Sequence, residues 1–289
     1  MVAIGESNLR GIEIDKVVRG FADEEFIFKR FLTVLPTSAR EIRYFTKTTG
    51  ALDSTDTTGV TASQIPTSPL SKPVKAGPSY TRNTTYIRHY KVESDLISAE
   101  DLKDNDVSIE LTILRDLTRA VLNQVDTRIF AVLNDTTNAN TSSAAGSGWD
   151  DTSNGNPIMD LLSGAMAIRD DGYDVTNLVA LVNPTEYKNL MNYLITVKGS
   201  SIPAFSSDLA RGDGVLTNVA GTRIVVSNNA TAGTVIQFVP QRAAQWRSFM
   251  EITGVRIDDP LIGTIFRVAE EGEAILTDPK AVTVIQNAG

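Results

Sequence analysis

The sequence predicts an α+β fold organised around one long helix, and three observations carry that prediction. First, Val107, Leu111, Leu114, Thr118, Val121, Val125, Ile129 and Val132 follow one another at steps of three and four, the spacing of a single helix face. Second, two runs near the start alternate apolar or aromatic residues with polar ones, the period of paired strands. Third, residues 156–240 read as helix, strand, helix and strands, and the remainder reads as short β segments separated by turns.

In chain order, residues 1–36 read as an arm. Leu9, Ile12, Ile14, Val17 and Val18 form a short apolar pattern interrupted by Gly11 and Gly20. Asp23-Glu24-Glu25 leads into Phe26, Ile27, Phe28, Phe31 and Leu32, a short helix with acid at its start and Lys29-Arg30 near its end, as the helix dipole favours. Those side chains need cover from elsewhere. Residues 39–48 then put Ile42 and Tyr44 on one face and Arg43, Phe45 and Lys47 on the other. Residues 79–93 alternate through Tyr80, Arg82, Thr84, Tyr86, Arg88, Tyr90 and Val92. The Thr/Ser/Gly/Pro-rich stretch between them is too long for an ordinary turn. A two-stranded hairpin is marginal alone, so a neighbouring subunit is the expected support.

Residues 92–102 read as a strand end and a short helix, with Ser98-Ala99-Glu100-Asp101 as its cap. The spine helix spans 106–133, capped by Asp106, with Arg115, Asp116, Arg119, Asn123 and Asp126 on its wet side. Its ~40 Å length follows from 1.5 Å per residue. The Thr/Asn/Ser/Gly tract 134–156, with Trp149, reads as a mobile surface loop. Asn156 caps a helix that starts at Pro157. Leu178-Val179-Ala180-Leu181-Val182 is a buried strand, and Asn183-Pro184-Thr185-Glu186 opens a helix whose inner face is Tyr187, Leu190, Met191 and Leu194. Strands follow at 222–227, 234–239, 252–257, 264–268, 273–276 and 281–285, with Asp259-Pro260, Glu271-Gly272 and Asp278-Pro279 as turns.

Composition narrows the function. The chain has 289 residues, 42% of them hydrophobic, and no Cys. Disulfides, thiolate nucleophiles and cysteine-held zinc are excluded. His89 is the one histidine; in a predicted strand between Arg88 and Tyr90 it reads as a surface or interface residue. Asp and Glu outnumber Lys and Arg 35 to 27 without a basic block, which disfavours specific nucleic-acid binding. No apolar run reaches the ~20 residues of a membrane span. The P-loop, nucleophile-elbow and H-E-x-x-H patterns are missing. Asp170, Asp171 and Asp174 lie around Gly172 without calcium-loop spacing. No catalytic residue, cofactor or metal is expected.

Three passages then carry a resemblance: Tyr90-Lys91-Val92-Glu93-Ser94-Asp95-Leu96-Ile97 before the spine helix, Val182-Asn183-Pro184-Thr185-Glu186-Tyr187, and Gly221-Thr222-Arg223-Ile224-Val225-Val226-Ser227. In this order, over nearly the whole chain, they resemble the major capsid proteins of tailed double-stranded-DNA viruses, whose Hong-Kong-97-type fold is shared with encapsulin shells. The resemblance implies an N-terminal arm at 1–36 and an extended loop, a long β-hairpin, at 37–93. It implies a peripheral domain from 94–155 and 241–289, and an axial domain at 156–240. It further implies a structural protein that assembles with itself into pentamers and hexamers, closing an icosahedral shell around DNA that it does not read. The implied setting is a virion capsid put together in the host cytoplasm. Scaffolding, portal and decoration proteins are further partners, the scaffold being separate or dispensable because Met1 opens almost directly onto the arm. Phe26, Phe28, Phe31, Tyr44, Phe45, Lys72, Lys75, Tyr80 and Tyr86 are the expected subunit contacts. Lys47, Lys72 and Lys75 could donate to the Lys–Asn cross-link of some members, though no acceptor can be matched. Two other readings stand beside this one: an encapsulin-like compartment with protein cargo, and a soluble α+β enzyme.

Overall fold

The computed structural model describes residues 14–22, 27–49, 69–70, 78–98, 108–143, 147–151, 153–196, 218–259 and 262–289. Helix α1 covers 14–22, and a single 3₁₀ turn follows at Lys29–Phe31. Next come strands β1 (Thr33–Pro36), β2 (Glu41–Lys47), β3 (Tyr80–Tyr86), β4 (Arg88–Glu93) and β5 (Ile97–Ser98). The spine helix is α2 (Ser108–Leu133). After it lie β6 (Asn140–Ser143), α3 (Pro157–Asp170), β7 (Leu178–Val182) and α4 (Pro184–Thr196). The chain closes with β8 (Asn218–Val219), β9 (Thr222–Val226), β10 (Thr234–Phe238), β11 (Ala244–Asp259), β12 (Gly263–Leu276) and β13 (Val282–Gln286).

Three sheets result. The first has the order β1-β11-β12-β4, with β5 also pairing β12; the second is β6-β13-β10-β7-β9-β8; the third is the β2–β3 ribbon. The spine helix packs between the first two. Its Val121, Val125 and Ile129 share one core with Trp246, Phe266 and Val268 of the first sheet and with Leu181, Ile236 and Val284 of the second. Period-two alternation sends the other residues of those strands the opposite way. Ala180, Val182, Val235 and Ile285 meet Leu161 of α3 and Leu190 and Leu194 of α4 in a second core. The second sheet is therefore covered on both faces, which is why β7 is buried at every position.

Local chemistry explains the helix ends. Asn156 Oδ1 accepts from Met159 N–H at 3.3 Å, and Pro157 needs no partner for the N–H it lacks. Gly172, just beyond α3, takes a φ of 80° that a side chain would resist. At α4, Asn183 Oδ1 accepts from Thr185 N–H. Glu186 does not complete a capping box: it is fully buried and accepts from Gly233 N–H at 2.6 Å, tying α4 to the β9–β10 turn.

Several expectations are corrected. Glu271-Gly272 is no turn, since β12 runs unbroken through it. The glycine serves a close approach instead: a Cβ there would lie 2.5 Å from the Trp246 ring. Gly254 plays the same part within β11, where Val18 of α1 comes against it. The tract after the spine contributes an edge strand, β6, and Trp149 is buried with Nε1 donating to Asp160 Oδ2 at 2.8 Å. Asp126, assigned to the wet side of the spine, is only 2% exposed. Leu111, assigned to the inner face, is exposed. Residues 241–289 divide between sheets, β11 and β12 in the first and β13 in the second. Strand β1, parallel to β11, has no counterpart among the predicted strands. In the arm only the 3₁₀ turn forms among the described residues of the expected second helix. Phe26, Lys72, Lys75, Asp106, Pro260 and the cap residues after Ser98 lie outside the described residues.

Candidate subunit interface

The ribbon β2–β3 is where the chain offers most and covers least. Its register pairs Glu41 with Tyr86, Arg43 with Thr84, Phe45 with Arg82 and Lys47 with Tyr80. These eight residues share one face. Phe45, Tyr80 and Tyr86 on it are 62%, 58% and 65% exposed, unusual for aromatic residues in a finished surface. Phe45 and Tyr80 meet edge-on with centroids 6.4 Å apart, and Arg43 Nε pairs with Glu41 at 2.8 Å. The other face, with Ile42 and Thr46 buried and Tyr44 half-buried, turns to the body.

The ribbon is tied to the body at its loop end, where Lys47 N–H donates to Thr277 O at 2.9 Å and Thr46 Oγ1 to Leu276 O at 3.3 Å; at the other end Ile87 N–H donates to Arg40 O at 3.0 Å and extends the ribbon's own pairing. A cleft of about 430 Å³ at the loop end is lined by Phe45, Lys47, Pro78, Tyr80, Arg242, Thr277 and Asp278. Lys47 and Arg242 both lie over the Tyr173 ring, at 5.7 and 5.0 Å. Burial, with the charge of Asp278 adding to it, pushes the Tyr173 phenol up to about 12.

Three acids of β12 hold the surrounding elements. Glu273, wholly buried, takes Arg128 of the spine at 2.6 Å and Arg88 of β4 at 2.9 Å. Glu271 takes His89 Nδ1 at 2.7 Å and Lys91 at 3.1 Å. Glu270 takes Lys29 of the arm at 2.5 Å. Tyr44 and Tyr90 are raised by burial and then by the nearby Glu273 carboxylate. The strip from Glu270 to Glu273, which contains the motif that reads as a turn, thus ties spine, arm and β4 together.

Of the expected contact residues, Phe45, Tyr80 and Tyr86 lie on one outward face, Phe45 and Tyr80 in contact and Tyr86 at the opposite end. Tyr44 belongs to the ribbon's inner face. Phe28 is 1% exposed and packs on Phe130 at 6.4 Å, so its surface is already used within the chain. Phe31 is half-buried beneath Arg223. His89 is half-exposed on the first sheet. Asp171 accepts from Asn140 and Asp174 from Thr176, which accounts for that acidic turn. Among the described residues no group of three or more acids and histidines could hold a metal, and no helix is long and apolar enough to cross a membrane.

Two further exposed apolar patches went unpredicted. One is Met159, Leu162 and Met166 on α3, at steps of three and four. The other is Val255, Ile257 and Ile262 at the end of the β11–β12 hairpin, with Leu96 nearby. Both were legible in principle: α3 carries a second apolar strip beside its buried Leu161 and Ile168, and β11 keeps apolar residues on both faces. A helix or sheet that is apolar on two sides has more to bury than one core.

The chain thus combines a spine between two sheets with an anchored ribbon, one exposed aromatic face and two exposed aliphatic patches. The model of the phage capsid protein family matches residues 94–285, and this chain belongs to that family. Solved structures share its Hong-Kong-97-type fold. A virus-like particle from Pyrococcus furiosus matches with TM-score 0.65 at 12% identity, over 96% of this chain and 99% of that one. The capsid of a native GTA particle gives 0.65 at 11%, over 93% and 91%. Mycobacterium phage Che8 gives 0.59 at 18%, over 87% and 86%. No curated protein matches the chain. The family is one of structural capsid proteins.

Proposed function

We propose that the chain assembles into pentamers and hexamers that close an icosahedral shell around double-stranded DNA. The carrying observation is the outward face of the ribbon: three large aromatic side chains held on a strand pair rigidly anchored to the body. Burying such a face contributes about 25 cal/mol per Å² of apolar surface, and a second copy supplies the cover. The patches on α3 and on the β11–β12 hairpin offer further contact surfaces on other sides. In this reading 1–36 is the arm and 37–93 the extended loop. The peripheral domain is 94–155 with 241–289, and 156–240 is the axial domain, with β13 docked into its sheet. The acidic balance suits a wall that encloses DNA without gripping it. Assembly in host cytoplasm, with separate scaffolding, portal and decoration proteins, completes the proposal.

Electron microscopy of the purified protein tests it. Closed particles with five- and six-fold capsomers are expected, and nuclease-protected DNA inside particles from infected or induced cells. A monodisperse monomer at high concentration would count against assembly. The alternative is a compartment of the same fold with protein cargo. Particles that hold a cargo protein and no nucleic acid would select it.

A further inference from the structure

The side chains of the ribbon carry the assembly reading; its backbone carries something more specific. Thr48 N–H donates to Ser79 O and Ile87 N–H to Arg40 O, both at 3.0 Å. These two bonds bracket an unbroken register and so fix its phase. In an antiparallel pair, opposed residues alternate between hydrogen-bonded and non-hydrogen-bonded. Thr46–Thr81, Tyr44–Asn83 and Ile42–Thr85 are therefore the bonded pairs. The N–H and C=O groups of Tyr80, Arg82, Thr84 and Tyr86 then point away from β2. Among the described residues no strand pairs with that edge, and these groups have no backbone partner.

The opposite edge, on β2, faces the body: Lys47 N–H reaches Thr277 O at 2.9 Å. The inner face agrees, for Ile42 and Thr46 of β2 are buried whereas Thr81 of β3 is exposed. Strand β3 is thus the outer strand. Its seven residues include no Pro, Lys or bulge, the devices that blunt an edge. Other sheet edges are shorter or guarded. Strand β1 ends in Pro36, β6 has four residues and β8 two, and β4 carries Arg88, Lys91 and Glu93.

We propose that β3 pairs with β3 of a second copy, antiparallel about a two-fold axis at Asn83. The inference rests on reading the ribbon as a contact between copies, and it specifies that contact. Centred on Asn83, Tyr80 opposes the partner's Tyr86 and Arg82 opposes the partner's Thr84, so every outward backbone group is bonded. Centring on Arg82 leaves Tyr86 without a counterpart in β3 and sets Arg82 against its own copy, a like-charge pair. Centring on Thr84 leaves Tyr80 without one. The chosen axis also gathers the aromatic residues. Phe45 and Tyr80 meet at one end of the ribbon and Tyr86 lies at the other; pairing brings the partner's Tyr86 beside Tyr80. Such a contact is isologous, whereas rings are built from heterologous ones. It therefore joins subunits of neighbouring rings.

The chain has no Cys, so single cysteines report the register. Asn83 would face its own copy in a non-hydrogen-bonded pair, with Cα atoms about 4.5 Å apart, within reach of a disulfide. Arg82 and Thr84 would meet their own copies only diagonally, at about 7–8 Å. Asn83→Cys, Arg82→Cys and Thr84→Cys are oxidised mildly in the assembled full-length protein and read on non-reducing denaturing gels. Covalent dimers should form roughly tenfold faster or more for Asn83→Cys. Equal rates at the three positions, or a faster rate at 82 or 84, would overturn the pairing. Hydrogen exchange of the unmodified protein gives a second readout that needs no variant. The amides of Arg82 and Thr84 should be protected roughly tenfold more, or better, in assembled protein than in dissociated subunits at the same pH. Free exchange of both in closed particles would overturn the pairing and leave the shell reading intact. Protected amides and Asn83→Cys dimers without closed particles would support the pairing and count against the shell reading instead.

Discussion

The six-stranded sheet and the two-stranded ribbon solve the same problem in opposite ways. In the sheet, β7 is buried along its whole length, with the spine's core on one side and α3 and α4 on the other. In the ribbon, one face lies on the body and the other presents Phe45, Tyr80 and Tyr86 to solvent. Both use strands rich in β-branched and aromatic residues, so propensity does not separate them. The available cover does. Where the chain can cover a strand itself, it builds a core; where it cannot, it leaves an apolar face exposed, the face proposed above as a contact between copies. Fold stability and assembly should therefore be separable by mutation.

The largest effect is expected where cover is complete. Val121 is fully buried at the centre of the spine, and Val121→Asp places a carboxyl there without a partner. The expected cost is about 3–5 kcal/mol, a large part of a domain's ~5–15 kcal/mol. Thermal denaturation or solubility of the expressed subunit checks it: the variant should be unfolded or insoluble. A smaller effect is expected at the joint between the two regions. Glu273→Gln removes the charge that pairs Arg128 and Arg88. Arg128 keeps partial access to water, so the cost should be about 2 kcal/mol rather than the full value for a sealed pair. Chemical denaturation measures it, and a change near zero would mean that the three acids of β12 do not brace the body. The smallest effect is expected at Arg119, exposed on the spine. Arg119→Asp should shift stability by no more than about 0.5 kcal/mol. If it proves costlier than Val121→Asp, the faces of the helix are misassigned.

The sequence was most legible where one face repeated cleanly. Leu114, Val121, Val125 and Ile129 lie in the core as their spacing predicts, and the alternation in β2 sorts Ile42 from Arg43 and Phe45 correctly. Asn156-Pro157 and Leu178–Val182 were equally plain. Legibility failed where a residue type serves two purposes. Gly272 looks like a turn residue but makes room for Trp246. Asp126 looks like a solvated helix residue, but the arm folds over it and supplies the Phe28 amide. Phe28 looks like a free contact but is spent on Phe130. Each depends on a neighbour distant in sequence, and local pattern carries no record of that neighbour. The ribbon's outward face was readable for the opposite reason: Phe45 meets Tyr80 and Arg43 meets Glu41 within the ribbon itself, where local pattern reaches.

The most direct measurement pairs folding with assembly on that patch. A Phe45→Asp, Tyr86→Asp double variant changes two exposed side chains and touches neither core. Circular dichroism and thermal unfolding of its subunits should match those of the unmodified protein within a few degrees, while sedimentation should show the loss of closed particles. Normal particles from this variant would contradict the claim that the bare face of the ribbon is completed by a second copy. A variant that fails to fold would show instead that the face is part of the chain's own core.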